Sequence, residues 1–373
     1  MVRKMEYYGI QEEELEFFKS YLFERLQYVK VDTHRSRVKM LPPCGMIQGS
    51  ILSCTLYTLY TNEVPVLHKI MKDENLFHQL TGETTNVNIK AEHDTYNYVD
   101  NSNSCVAFDN PEEIQEYIDA FFAVLKEFHM ISKLKLNEEK TMLLITSQPK
   151  HREAYEDVVI TEEGRDYIVK PKSQVKVLGF LINQRGSNDA QVNKLVSEVN
   201  HLINLAIKNG KYLNQRSRLA YVNSNIIGRI MYNVTSLAGE TEGNKQKIYK
   251  LLNRVARYVK ADFCFKLSIR SIMTSINLKM PEEIIDEGIA KFIHKIISNE
   301  EPKEIYNLIK FPRSRTCVDL CLQYIPKTDR LRRCAVFSGI QNYNRIPQEM
   351  KQLNPKKLKR KLKKVGLKPK QSK

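Results

Sequence analysis

The chain has 373 residues, of which 42% are hydrophobic and 27% charged, a balance typical of a soluble globular protein that can bury a substantial core. Its formal net charge is +16, and eleven of its Lys and Arg residues lie in 351–373, a segment without Asp or Glu. This excess indicates a polyanionic partner, with a solvated, solubilising tail as the alternative. The seven cysteines form no Cys-x-x-Cys pair, which argues against a zinc module and favours reduced thiols in an intracellular protein.

The first 185 residues predict helices mixed with short strands. Apolar residues recur at helical spacing in some segments and alternate with polar ones in others. The expected helices are 11–23, 50–60, 62–73 and one that opens at Pro111, and the expected strands are 25–31, 36–41, 87–90, 95–99, 105–108, 142–145 and 175–182. Because the order is not a repeating βαβ series, the sequence predicts an α+β fold.

After residue 185 the apolar pattern becomes helical. The expected helices are 192–209, 216–237, 245–259 and 281–298. Beyond Pro355, Leu358, Leu362 and Val365 fall on one side, which predicts a short, basic, amphipathic helix when the tail is bound. The expected parts of the chain are 1–185, a helical region over 186–350 and a flexible basic tail over 351–373.

We expect neither a membrane span nor a membrane partner. Residues 40–62 carry no charged side chain, but prolines and glycines interrupt them, so a buried segment of a globular domain is the better interpretation. The N-terminus has no signal-peptide pattern. The expected location is therefore intracellular, in the nucleus or the cytoplasm.

One candidate site is an acidic residue at a predicted turn. In the run Tyr98-Val99-Asp100-Asn101, which lies between two expected strands, Asp100 falls at the tip of a hairpin. A hairpin tip presents a carboxylate rigidly, and a divalent metal ion prefers such oxygen ligands. The alternative is a purely structural turn, because Asp and Asn both tolerate tight turns.

A second candidate site is the glycine-rich run Gly45-x-x-Gln48-Gly49-Ser50, which precedes an uncharged apolar segment. A glutamine side chain can both donate and accept at the edge of a base or a sugar, and a glycine lets the backbone approach a ligand closely. The alternative is an ordinary Gly-Ser turn before a core helix.

The order and spacing of these motifs resemble the reverse transcriptases of non-LTR retrotransposons, over roughly residues 7–350. The matching segments are Tyr21-Leu22-x-x-Arg25-x-Gln27-x-Val29-x-Val31, Gly45-x-x-Gln48-Gly49-Ser50, Tyr98-Val99-Asp100-Asn101, Leu136-Asn137-x-x-Lys140-Thr141, Val177-Leu178-Gly179-Phe180 and Asn342-Tyr343-Asn344-x-Ile346-Pro347. The resemblance implies a partial right-hand polymerase: an incomplete palm and fingers, an all-helical thumb-like region and the basic tail.

The resemblance also implies roles for single residues. Asp100 would be catalytic and would bind Mg²⁺ or Mn²⁺, and Lys140 would lie near the triphosphate and assist the departure of pyrophosphate. The substrate-binding residues would be Gln48, Gly49, Ser50 and Tyr98. The implied activity of this transposable-element family is RNA-directed DNA polymerisation, a nucleotidyl transfer on an RNA template and a DNA primer, within a longer polyprotein encoded by the element.

Two departures from the family pattern predict impaired catalysis. Asn101 stands where the family has a second Asp, and an amide brings no negative charge to a metal ion. Gly9-Ile10 matches the segment after the family's first palm strand, so that strand and its metal-binding Asp are expected before Met1. Because nucleotidyl transfer depends on electrostatic stabilisation, the loss should cost orders of magnitude in rate. The alternative function is a non-catalytic nucleic-acid-binding relic.

A basic stripe in the helical region supports that alternative function. Lys247, Lys250, Arg254 and Arg257 are spaced three, four and three residues apart, which places them on one face of a helix. Such a stripe suits contacts to a phosphate backbone that do not depend on base sequence. The alternative is an ordinary solvated helix exterior.

Overall fold

The computed structural model of the protein describes residues 1–41, 45–47, 49–82, 92–108, 110, 113–146, 158–162, 165–210, 212–262, 266–312, 319–324, 326–328 and 334–367. The chain divides into two compact units, Met1–Lys172 and Ser173–Lys373, which we call the first and second units. Each unit contains both helices and antiparallel strands. The architecture therefore agrees with the α+β class that the sequence predicts.

The first unit combines short helices with two-stranded antiparallel sheets. Its helices are α1 (Val2–Tyr7), α2 (Glu12–Leu22), α3 (Ile51–Tyr60), α4 (Leu67–Met71), α5 (Glu74–Thr81) and α6 (Glu113–Ser132), with 3₁₀ turns at Val64–Val66 and Glu138–Lys140. Its strands are β1 (Leu26–Gln27), β2 (Lys30–Val31), β3 (His34–Arg35), β4 (Lys39–Met40), β5 (Glu92–Tyr98), β6 (Asn101–Ala107), β7 (Val158–Glu162) and β8 (Arg165–Val169). The strands pair as β1–β4, β2–β3, β5–β6 and β7–β8.

Three expected strands of this unit have other outcomes. The segment 25–31 contains two short strands, β1 and β2, which belong to different sheets. In the segment 142–145, the structure has an isolated bridge between Leu143 and Pro171. The strand expected over 87–90 lies outside the described residues.

The main core of the first unit lies between α6 and the helices α4 and α5. The fully buried face of α6 is that of Tyr117, Ala120, Val124 and Phe128, whereas the apolar residues Ile114, Ile118, Phe121, Phe122 and Leu125, which predict the helix, are only partly buried. The buried residues are Val64, Leu67, Met71, Phe77, Tyr117, Ala120, Val124 and Phe128. A smaller cluster near the N-terminus comprises Met5, Leu15, Leu22 and Leu56 and joins α1, α2 and α3.

The hairpin of β5 and β6 carries the predicted acidic tip. Its register runs from Glu92 opposite Ala107 to Tyr98 opposite Asn101, so Val99 and Asp100 alone form the turn. The sequence predicts a longer turn, over 100–103. The two-residue turn is tighter because Val99 adopts a φ of +55°, the left-handed conformation that such hairpins require and that a β-branched residue rarely adopts.

The second unit is mainly helical. Its strands are β9 (Gln174–Val177), β10 (Phe180–Asn183), β11 (Ile309–Lys310) and β12 (Cys321–Leu322). Its helices are α7 (Asp189–Asn209), α8 (Gln215–Tyr221), α9 (Gly228–Tyr232), α10 (Val234–Leu237), α11 (Glu242–Lys260), α12 (Ile269–Ser275), α13 (Pro281–Asn299), α14 (Lys303–Tyr306), α15 (Ala335–Asn344), α16 (Gln348–Lys351) and α17 (Pro355–Val365). A π-helical turn, Val222–Ile227, joins α8 to α9, so the helix expected over 216–237 is interrupted.

The boundary between the units lies before the hairpin of β9 and β10, not after it as the sequence predicts. The backbone N–H of Leu181 donates to Oε1 of Gln191 on α7 at 2.9 Å, and Nζ of Lys194 donates to the carbonyl of Gly179 at 2.5 Å. The Tyr232 hydroxyl donates to the carbonyl of Leu178. Because these bonds tie the hairpin to the helices that follow it, the hairpin belongs to the second unit.

Two apolar clusters hold the second unit together. The larger one joins α7, the π-helical turn, α11 and α12, and its fully buried side chains include Val192, Ile203, Ile226, Leu252, Val255 and Ile272. The other joins α13 and α15 to the end of the chain and includes Ile293, Ile340, Ile346, Leu358 and Leu362.

The C-terminal segment differs from the flexible tail that the sequence predicts over 351–373. In the structure, α17 begins after Asn354, whose side chain accepts a hydrogen bond from the backbone N–H of Lys357 at 2.9 Å. Leu358 and Leu362 are fully buried in the cluster that α13 and α15 form. Burial of each leucine contributes about 1.5–3 kcal/mol, which favours the docked helix over an exposed tail.

Within the described residues, no helix is long and apolar enough to cross a membrane.

Candidate nucleic-acid interface

Asp100 lies at the exposed tip of the β5–β6 hairpin. Nδ2 of Asn101 donates to Oδ1 of Asp100 at 3.2 Å, and the neighbouring Tyr98 side chain is 60% exposed. Burial raises the pKa of the Tyr57 phenol, and the negative charge of Asp100 raises this pKa further. The acidic tip therefore lies near the second half of α3, and its carboxylate is available to solvent.

The glycine-rich turn lies at the other end of α3. Gly49 has a φ of +85°, and Ser50 caps the N-terminus of α3 with its backbone while its Oγ accepts a hydrogen bond from the Tyr21 hydroxyl at 2.5 Å. Seven residues of helix separate Ser50 from Tyr57, a rise of about 10 Å. The side chain of Ser50 therefore has a structural partner on α2, and Gln48 lies outside the described residues.

Lys140 ends the 3₁₀ turn Glu138–Lys140 and is exposed. Its backbone N–H donates to Oδ1 of Asn137 at 3.1 Å, which fixes the turn but not the ammonium group. Within the part of the chain that the structure describes, no hydrogen bond or ion pair joins the Lys140 ammonium to Asp100. The structure thus places the predicted catalytic residues on the same unit without a direct contact between them.

The donor set at the hairpin tip does not fit a two-metal site. Such a site needs several oxygen ligands, usually two or three of them carboxylates, around two divalent ions. The tip offers one carboxylate, Asp100, and the neutral amide of Asn101, whose Nδ2 donates to that carboxylate. Among the described residues there is no group of three or more His, Cys, Asp or Glu side chains that could hold a metal ion.

The predicted basic stripe lies on α11, which packs beside α7 in the same direction. Nζ of Lys247 donates to Oδ1 of Asn193 at 2.8 Å. The guanidinium of Arg254 donates to Oδ1 of Asn200 at 2.5 Å and to Oδ1 of Asn204 at 2.6 Å. Because the amides are neutral, these contacts orient the two cations without forming an ion pair. Hydrogen bonds from Ser187 and Asn244 and the nearby charge of Lys247 lower the pKa of Asp189, so this carboxylate partly offsets the charge of Lys247.

Lys250 and Arg257, the other two residues of the stripe, differ from each other. Lys250 is exposed. Arg257 forms an ion pair with Asp262 at 2.7 Å, and the two side chains are only 16% and 10% exposed. The guanidinium of Arg257 also donates to the carbonyl of Leu267 at 3.3 Å. Arg257 therefore closes the loop after α11, and its charge is neutralised. The sequence predicts a different role for it, as one of four cations that contact a phosphate backbone.

Three asparagines of α7 belong to the candidate site, although the sequence interpretation did not identify them. Asn193, Asn200 and Asn204 are seven and four residues apart, which places them on one face of α7. That spacing was visible in the sequence. What was not visible is that this face lies against the cations of α11, because only the packing of α7 on α11 brings residues more than 50 positions apart together.

Charge is distributed very unevenly between the two units. The first unit contains 20 Lys and Arg against 28 Asp and Glu, a formal net charge of −8, and the second contains 39 against 15, a net charge of +24.

No protein-family model matches this chain, and no curated protein matches it either. Function therefore has to be inferred from these charges and contacts.

Proposed function

We propose that this chain is a nucleic-acid-binding protein of reverse-transcriptase-like ancestry, in which the second unit binds the phosphate backbone and polymerase chemistry is impaired. The segregation of charge carries this proposal. A unit of net charge +24 attracts a polyanion, whereas a unit of net charge −8 repels one. Binding therefore belongs to the helical unit.

The contacts on α11 support binding that is independent of base sequence. Lys247 and Arg254 are seven residues apart, about 10 Å along the helix, and asparagine amides hold both side chains in place. The Arg254 guanidinium retains N–H donors beyond those that its two asparagine contacts use. Such cations release counterions when they neutralise phosphates, which gives salt-dependent affinity without reading of bases.

The binding test compares two variants of the full chain. K247Q/R254Q removes two cations that have neutral partners. K19Q/K245Q/K303Q removes three cations that each pair with a glutamate three residues earlier, and it serves as the control. We expect K247Q/R254Q to weaken binding of a labelled RNA–DNA primer–template and to lower the slope of log affinity against log salt by about 1.8. Equal slopes for K247Q/R254Q and the wild type would contradict the proposal.

RNA-directed DNA polymerisation is the second candidate function. It is favoured by the position of Asp100, an exposed carboxylate at a hairpin tip beside α3, whose N-terminus follows the glycine-rich turn. The reaction would need Mg²⁺ or Mn²⁺, an RNA template, a DNA primer and at least one further carboxylate. We expect no primer extension by the purified chain with either metal ion. Extension that Asp100→Ala abolishes would establish the second candidate in place of the first.

A further inference from the structure

The helix α17 presents the most concentrated positive charge among the described elements. Its eleven residues include seven Lys and Arg, all of them exposed: Lys356, Lys357, Lys359, Arg360, Lys361, Lys363 and Lys364. Within the described ranges none of the seven has an ion pair with an acidic side chain. The helix is held on the second unit by Leu358 and Leu362, which are fully buried, and by Lys279, whose ammonium donates to the carbonyl of Leu362 at 3.0 Å.

Six of the seven cations form two rows along the helix, and the seventh, Arg360, lies between the rows. At about 100° of rotation per residue, one row lies on each flank of the exposed half of the helix, and the rows are roughly 130° apart. The first row is Lys356, Lys359 and Lys363, and the second is Lys357, Lys361 and Lys364. Arg360 lies between the rows, opposite the buried leucines. A single phosphate backbone cannot contact both flanks at once, but two backbones that border a groove can.

Two other partners fit this helix poorly. An amphipathic helix binds a membrane by inserting its apolar face, and the two leucines on that face of α17 are buried in the protein core. Binding of single strands without sequence preference relies on aromatic side chains that stack with bases, and residues 355–365 contain no aromatic residue. The exposed half of α17 offers charge alone, and it offers that charge on two sides.

We propose that α17 docks in the major groove of B-form duplex DNA, with one lysine row on each phosphate backbone. This inference rests on the proposed function and names its substrate class. The groove is about 12 Å wide and a helix with its side chains is about 10–12 Å across, so the exposed half of α17 fits between the two backbones. The major groove of A-form RNA is too narrow and deep for side chains to enter, so duplex RNA binds more weakly.

The experiment measures binding of the full chain to three labelled nucleic acids of the same sequence: duplex DNA, duplex RNA and single-stranded DNA. The variants are K356Q/K359Q/K363Q for the first row and K357Q/K361Q/K364Q for the second, with K19Q/K245Q/K303Q as the matched loss of three charges elsewhere. Glutamine favours helix, and both leucines are kept, so α17 should stay docked. Circular dichroism and the thermal midpoint check this for each variant.

We expect each row variant to weaken duplex-DNA binding about tenfold and to lower the salt slope by about 2.7, while the matched control stays within twofold of the wild type. Duplex RNA and single-stranded DNA should bind the wild type more weakly than duplex DNA. Loss of affinity in one row variant only, equal binding of duplex RNA, or row variants that bind like the control would each overturn the inference. Binding to phosphatidylserine vesicles that depends on the rows, with duplex binding unchanged, would overturn it too.

The same measurements separate this inference from the proposed function. If the row variants bind duplex DNA like the wild type while K247Q/R254Q binds nucleic acid more weakly, the docking role of α17 is wrong and the proposed function stands. If the wild-type chain binds none of the three nucleic acids, the proposed function falls, and the inference falls with it.

Discussion

At the scale of single residues, the neighbours of a cation decide whether it can serve as a binding group. Arg254 and Arg257 lie on the same helix, three residues apart. Arg254 donates to two asparagine oxygens and keeps a net positive charge beside solvent. Arg257 forms an ion pair with Asp262 in a half-buried position. This ion pair neutralises the charge of Arg257 and closes a loop. Two arginines on one helix therefore have different roles: one remains available to bind an anion, and the other stabilises a loop.

A buried histidine in strand β5 of the hairpin, His93, should make the first unit sensitive to pH. Burial, with smaller contributions from the nearby charges of His68 and Lys72, lowers the pKa of His93 to about 4, against an opposing effect of Asp94. Its ring stacks on His68 at 4.6 Å and its Nε2 lies 2.7 Å from Oγ1 of Thr95. The neutral ring is therefore the form that the fold accommodates.

We expect the free energy of unfolding of the first unit to fall by roughly 1–3 kcal/mol as the pH is lowered from 6.5 to 4. In this window the unfolded chain binds a proton at position 93 that the folded chain does not bind, so acid favours unfolding. The effect is measured by urea unfolding of the full chain at several pH values, with a spectroscopic signal from the first unit as the readout. His93→Gln should flatten the dependence and His34→Gln, at an exposed site, should not. Equal pH dependence in the wild type and His93→Gln would refute the assignment.

At the scale of elements, the C-terminal segment shows how an amphipathic pattern and a partner surface work together. The pattern of Leu358 and Leu362 among lysines is that of a helix with one narrow apolar side. An isolated eleven-residue helix with so many like charges is unstable in water. The apolar cluster of α13 and α15 stabilises it, because this cluster buries both leucines.

Leu358→Ala should therefore undock α17. We expect it to lower the free energy of unfolding of the second unit by about 2–4 kcal/mol, since a fully buried leucine is lost and a cavity remains. Val365→Ala, on the same helix but 69% exposed, should change it by less than about 0.5 kcal/mol. Thermal unfolding and proteolysis near the C-terminus measure the difference. Equal stability of the two variants would mean that the docking of α17 contributes nothing.

At the scale of the whole molecule, the two units carry opposite charge. The first unit, with its hairpin tip and glycine-rich turn, has a net charge of −8, and the second has +24. A polymerase active site has to hold a polyanionic duplex against its catalytic carboxylates. The acidity of the first unit, together with its single exposed tip carboxylate, favours a molecule that binds nucleic acid through its second unit.

Each unit expressed separately should reveal this division. We expect residues 173–373 to bind the primer–template with the same salt slope as the full chain, because the second unit contains all the cations assigned to binding. Residues 1–172 should bind at least a hundredfold more weakly at the same ionic strength. Fluorescence anisotropy at three salt concentrations provides both values. Strong, salt-dependent binding by residues 1–172 would show that the charge segregation does not govern binding.

The sequence by itself determined the local features of this protein. Apolar periodicity predicted the extents of α11 and α13 and the start of α6 to within a few residues, because the spacing of apolar residues along a helix is a property of the helix alone. The sequence also placed Asp100 at a hairpin tip and the basic residues on one face of α11. These predictions depend on neighbours within a few positions of one another.

Only the tertiary structure decided which of those residues have partners. It gave Arg257 a carboxylate, Lys247 and Arg254 the amides of a helix about 50 residues earlier, and α17 a surface on which to dock. It also assigned the hairpin of β9 and β10 to the second unit. The physical reason is the same in each case: whether a charge is neutralised or a leucine is buried depends on groups that are distant in the chain, and folding alone brings them together.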